Sequence, residues 1–200
     1  MRPWLKAVFT KRLFQLLCET RGAELIEFAI SLPLMMVFAM GIYDFSNASI
    51  LKQKISQIAS NAARVAANQP TSDLSSAGSC SAPGSICAIR TIVDTALTNN
   101  GIDDCGLNGT SASSPSALVW TFSASGCPGN QLTLTINRGY TYDTTLPDPP
   151  FQGPYRIEAT QVTLSYPYQW QFNKVIGLIA PGANFGNKPI QSVTVMQNLN

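Results

Sequence analysis

Histidine is absent from the 200-residue sequence. Its absence removes the imidazole base of a hydrolytic triad and the most common nitrogen ligand for metals. Phosphate-cradling signatures are missing as well, since there is neither a P-loop nor a GxGxxG run. Charged residues make up only 12% of the chain, and no long basic stripe offers the phosphate neutralisation that nucleic-acid binding needs. The five cysteines include no CxxC pair, which argues against a zinc site. Asp103 and Asp104, with Asn99, Asn100 and Asn108, offer oxygen atoms, but their spacing is not that of a calcium loop. They read as a solvated turn. No catalytic residue, metal ligand or cofactor site is expected, and no nucleic-acid partner.

Against this background one segment stands out. From Phe28 to Tyr43 there is no charged residue, and with Ala23–Glu27 the run is long enough to cross a bilayer. Glu27 sits just inside it. A carboxylate at membrane depth costs about 2.5 kcal/mol or more, so such a residue is functional by default. Charge is distributed unevenly around the span. Before it, Arg2, Lys6, Lys11, Arg12 and Arg21 face only Glu19, a net of +4. Beyond Gly22 the balance is −2, from 8 basic and 10 acidic residues. Basic flanks stay in the cytoplasm, so the N-terminus is expected inside and the remainder exported.

The order of features is a basic segment, Gly22, then an apolar helix with Glu27 five residues after the glycine. This is the layout of a type IV prepilin processing site, with cleavage between Gly22 and Ala23. Gly22 has no side chain, so a membrane peptidase can approach its backbone closely. Cleavage would leave a free amine at Ala23, one helical turn from Glu27, and in a filament Glu27 would pair with that amine on a neighbouring subunit. Snorkelling of Glu27 towards the headgroups is the plainer alternative, and the one that suits Glu24. Two other N-termini stay open: an uncleaved anchor, and signal-peptidase cleavage after Ser46-Asn47-Ala48. A lipoprotein site at Cys18 fails because bulky Leu17 stands where a small residue is needed.

The expected organisation is a basic cytoplasmic leader (1–22), a transmembrane helix (23–44), its amphipathic continuation (45–69) and an exported α+β domain (70–200). One helix from Leu25 to about Ala67 is predicted, interrupted by Pro33. Beyond Asp44, Leu51, Ile55, Ile58, Ala62 and Val65 recur at steps of four and three, a narrow apolar stripe. Ala59, Ala62, Ala63, Ala66 and Ala67 permit close approach of another surface, either the chain's own domain or other subunits. Ser85 is read as the cap of a second helix over Ile86–Thr98, with Ile89, Ile92, Val93 and Ala96 on one face. Residues 101–116 read as turns. Strands follow: Leu118–Phe122 and Leu132–Ile136 as a hairpin about Gly126–Gly129, Arg156–Tyr166 with a bulge near Thr160-Gln161, and Ile190–Met196. Thr144–Pro154, with four prolines, is expected to be an irregular loop, and Val175–Ala180 a turn of helix. Tyr166, Tyr168, Trp170 and Phe172 alternate, as packing residues or as a sticky surface.

Cys80, Cys87, Cys105 and Cys127 all lie beyond the anchor, and four cysteines in an exported domain imply two disulfides. Three pairings are possible. Proximity along the chain favours Cys80–Cys87 and Cys105–Cys127.

Several stretches together carry a family resemblance. They are Arg21-Gly22-Ala23-Glu24-Leu25-Ile26-Glu27-Phe28-Ala29, Leu32-Pro33-Leu34, Gly41-Ile42-Tyr43-Asp44-Phe45 and Ile58–Arg64, covering about the first quarter of the chain. Val162–Tyr168 and Ser192–Asn198 are similar to the family's closing strands. The chain resembles a TadE-like pseudopilin, a minor subunit of the bacterial tight-adherence (Flp, type IVc) pilus. The major Flp pilins carry Tyr after the glutamate, whereas Phe28 stands here, which points to a minor subunit. TadF- and TadG-like proteins share the anchor signature. The resemblance implies a pilin-like fold, processing by a prepilin peptidase, and residence in the inner membrane with the C-terminal domain in the periplasm. It further implies partners among other pilin subunits and the Tad assembly platform. A membrane-anchored binding module or adhesin that keeps its leader is the competing reading, and a secretion-system pseudopilin would share the same chemistry.

Overall fold

The computed structural model describes residues 20–75, 79–145, 154–172, 177, 182 and 188–199. Helix α1 spans Thr20–Ala67 and contains Pro33. Helix α2 spans Gly84–Asn99, and a single 3-10 turn covers Leu107–Gly109. Five strands follow: β1 Ser113–Ser116, β2 Val119–Ala124, β3 Leu132–Thr145, β4 Pro154–Tyr166 and β5 Ile190–Gln197. They form one antiparallel sheet in sequential order. This is the α+β plan expected from the sequence.

The described residues fall into two compact units. The first holds α1 as far as Phe45, with Gln171 and Phe172; the second holds Ser46–Trp170 and the residues from Lys188 onward.

The core of the second unit is built from alternation. Trp120, Phe122 and Ala124 on β2, Leu132, Leu134 and Ile136 on β3, and Val162 and Leu164 on β4 point to one face and are buried. Thr121, Thr133, Thr135 and Thr163 point to the other, where the Thr121 and Thr135 hydroxyls meet at 3.2 Å. Each large side chain fully buried in this way contributes about 1.5–3 kcal/mol. Ile55, Ile58, Ala59, Ala62, Ala63 and Ala66 of α1 join the same core. The buried surface is wider than the expected stripe because the alanines bring the backbone close, while Leu51 and Val65 lie only half-buried at its margin. The stripe therefore packs on the chain's own domain.

Several local expectations are corrected. The N-cap position of α2 is Pro83, which offers no side-chain bond. Ser85 lies inside the helix, and its N–H and hydroxyl both donate to Asp73, at 2.8 and 3.1 Å. A carboxylate from outside thus satisfies the helix N-terminus. The buried line of α2 is Ile86, Ile89, Val93 and Leu97, whereas Ile92 is exposed. Ser113–Ser116, within the stretch read as turns, is a short edge strand held to β2. Leu118 is not in β2 but in the turn before it, at φ 60°.

Strand irregularity falls at the expected level but on the other strand. Asn137 pairs with Gln161 and Tyr140 with Ala159, so Arg138 and Gly139 of β3 together oppose Thr160. The extra residue belongs to β3. Strand pairing also extends into the proline-rich segment, through Thr144↔Tyr155 and Thr145↔Pro154. The rest of that loop, and nearly all of the apolar segment Val175–Ala180, lie outside the described residues.

Candidate functional site

The processing candidates Gly22 and Ala23 fall in the first turn of α1. Positions 23 and 27 stand one helical turn apart along α1. Glu24, Glu27 and Phe28 are all exposed on the helix surface.

Beyond them the helix presents an apolar cylinder. Leu25, Ile30, Met35 and Ile42 are each about 70% exposed, as their side chains point outward on every side. At 1.5 Å per residue, about 20 such residues match the roughly 30 Å hydrocarbon core of a bilayer. Among the described residues this is one helix long and apolar enough to cross a membrane.

Where the apolar run ends, the chain builds a contact that the sequence does not disclose. Asp44 is only 2% exposed, and its Oδ2 accepts a hydrogen bond from the Phe172 backbone N–H at 3.0 Å. One turn earlier, the Phe172 ring lies over Gly41, where a Cβ would stand 3.4 Å from the ring edge. Gly41 leaves room for the ring, and Asp44 holds the backbone beside it. The sequence signal was present in Gly41-Ile42-Tyr43-Asp44, but nothing in it named Phe172 as the partner.

Both disulfides follow the proximity pairing, Cys80–Cys87 and Cys105–Cys127. They pin the segments flanking α2 to the core, in which Cys80, Cys87 and Cys105 are buried. Cys105 and Cys127 lie beside the Asp103 carboxylate, but sulfurs bonded to each other are not thiolate ligands. Asp103 instead accepts the Cys105 N–H at 2.9 Å. The Asn100 amide donates to the Ala96 carbonyl, and Asn108 Oδ1 accepts from Arg90. Asp94 on α2 faces Asp104. Burial first, then the Asp104 carboxylate, raises its pKa above the usual value, while Asn108 and Arg90 oppose the rise.

The alternating aromatics divide between the units. Tyr166, Tyr168 and Trp170 pack against the core, with Tyr168 and Trp170 edge-to-face at 5.0 Å. Tyr166 has its pKa raised by burial and by Asp103 and Asp104. Phe172 belongs to the first unit. The packing reading accounts for all four.

A buried arginine also carries no signal in the sequence. Arg138, at the β3 bulge, is 4% exposed and donates to the Gln69 and Pro70 carbonyls at 2.8 and 3.2 Å. It thereby holds the chain just beyond the end of α1. Burial lowers its pKa, opposed by Asp73.

No curated protein and no solved structure matches the chain. Residues 22–64, from the start of α1 into its alanine-lined part, match the family described as TadE-like protein.

Proposed function

We propose that the protein is a non-enzymatic minor pseudopilin of a tight-adherence pilus, cleaved after Gly22 by a prepilin peptidase. The observation that carries this reading is the conjunction of Gly22, Ala23 and Glu27 at the head of an exposed apolar helix, in the segment that matches the TadE-like family. The anchor holds the protein in the inner membrane, with the disulfide-bonded domain on the periplasmic side. Assembly proceeds by lateral packing of α1 against other pilin helices and the Tad assembly platform. Glu27 and the new Ala23 amine of a neighbour then offset each other's burial, because an unpaired charge in an apolar bundle is costly.

Mass spectrometry of the chain expressed with a tight-adherence prepilin peptidase is expected to give a species starting at Ala23, and Gly22→Leu to block it. An intact Met1 start in the presence of active peptidase would overturn the processing and favour the anchored binding module. Glu27→Ala is expected to leave membrane insertion intact and abolish incorporation into pili. Normal pili from that variant would remove the role given to the carboxylate.

A further inference from the structure

The two edges of the sheet differ. β1 has four residues, includes Pro115 and shifts register against β2, which are devices that discourage further pairing. β5 has eight residues, Ile190 to Gln197, with no charge, no proline and no shift. Among the described residues no strand lies on its outer side. Val193 and Val195 are 52% and 37% exposed. A long, uncharged, partly apolar edge of this kind is a template for another strand.

One bond fixes which backbone groups point outward. Asn198 N–H donates to Glu158 O, which makes that pair a hydrogen-bonded one, and such pairs alternate along an antiparallel ladder. Thr194 and Met196 therefore direct their backbone groups towards β4. Gln191, Val193, Val195 and Gln197 direct theirs outward. The sequence from Gln191 to Gln197 reads Gln-Ser-Val-Thr-Val-Met-Gln, nearly the same in both directions about Thr194.

We infer that β5 pairs with β5 of a second copy of this chain, antiparallel about a two-fold axis at Thr194. In that register Val193 meets the second copy's Val195 and Gln191 its Gln197, each on the same face. Every outward N–H and C=O from Gln191 to Gln197 finds a partner, in about eight backbone hydrogen bonds. The near-palindrome selects the occupant, because a two-fold contact requires the same patch to complement itself. With no charged residue in the strand, like charges never oppose. This inference is independent of the pilus reading, because it rests on the edge alone.

The test uses the full chain in detergent micelles, with Cys18→Ser to leave only the disulfide-bonded cysteines. Light scattering is expected to report a dimer at tens of micromolar. Val193→Pro removes only an outward N–H, so it is expected to weaken dimerisation at least tenfold while the melting curve keeps its shape. Thr194→Cys is expected to crosslink to itself under mild oxidation, since a pair on the axis without backbone bonds brings its Cα atoms within disulfide range. Ser192→Cys, far from the axis, is not. A monomer at these concentrations, a dimer indifferent to Val193→Pro, or crosslinking through Ser192→Cys in place of Thr194→Cys would each overturn the inference.

Discussion

The Phe172 N–H donates to Asp44 Oδ2 at 3.0 Å, joining residues 128 positions apart at the end of the apolar run of α1. Hydrogen bonds to charged acceptors are worth about 1.5–3 kcal/mol. Asp44→Ala is therefore expected to raise amide exchange at Phe172 by about 10- to 100-fold, whereas Asp44→Asn keeps an acceptor oxygen and falls between. Gly41→Leu is expected to act in the same direction by displacing the ring that rests over Gly41. Hydrogen-exchange mass spectrometry of the protein in micelles provides the measurement.

The two disulfides differ in the chain they close. Cys80–Cys87 spans 7 residues and Cys105–Cys127 spans 22. Loop-closure entropy assigns them about 2.4 and about 3.4 kcal/mol respectively. Replacing Cys105 and Cys127 by Ser is expected to lower the urea midpoint more than replacing Cys80 and Cys87. Gly126 beside the longer bridge tests the same corner: its N–H donates to Cys105 O at 2.9 Å, and a Cβ there would stand 2.5 Å from that oxygen. Backbone cannot yield as a flexible side chain does, so Gly126→Ala is expected to destabilise the fold measurably.

Arg138 ties the bulge of β3 to the end of α1 through two carbonyls. Arg138→Met keeps much of the apolar stem but removes both of these hydrogen bonds, an expected loss of about 2–3 kcal/mol in chemical denaturation. Arg138→Lys is expected to recover only part of it, because a single ammonium does not reproduce the guanidinium fork.

Asp94 gives a pH dependence with a definite sign. Its folded pKa is raised by burial and by Asp104, so the fold favours its protonated form. The benefit is complete below the unfolded carboxylate pKa of 3.8 and is lost as pH rises through the higher folded value. Asp94→Asn is expected to raise the melting temperature at pH 7 and to lose that advantage near pH ~3.5. A melting-temperature series on both proteins checks it.

The long apolar helix, the inward alternation on β2 and β3 and the α+β class were legible in the sequence because each is a local pattern. A run of apolar residues, a period of two and a period of 3.6 are set by neighbours along the chain. The disulfide pairing was legible for the same reason, as the partners are close in sequence. Edge strand β1 was not, because Ser113–Ser116 has no apolar alternation and is a strand only by virtue of the β2 backbone beside it.

What the sequence by itself determined is the greasy rod with its acid and the count of paired cysteines. The tertiary structure alone decided that Asp73 caps α2, that the bulge sits on β3 so that Arg138 reaches the end of α1, and that Phe172 closes on Asp44. In each case a polar group is satisfied by a partner distant in sequence, 12 residues away at Ser85, 69 at Gln69 and 128 at Phe172. Buried donors and acceptors must be paired, but which partner is within reach depends on how the whole chain packs.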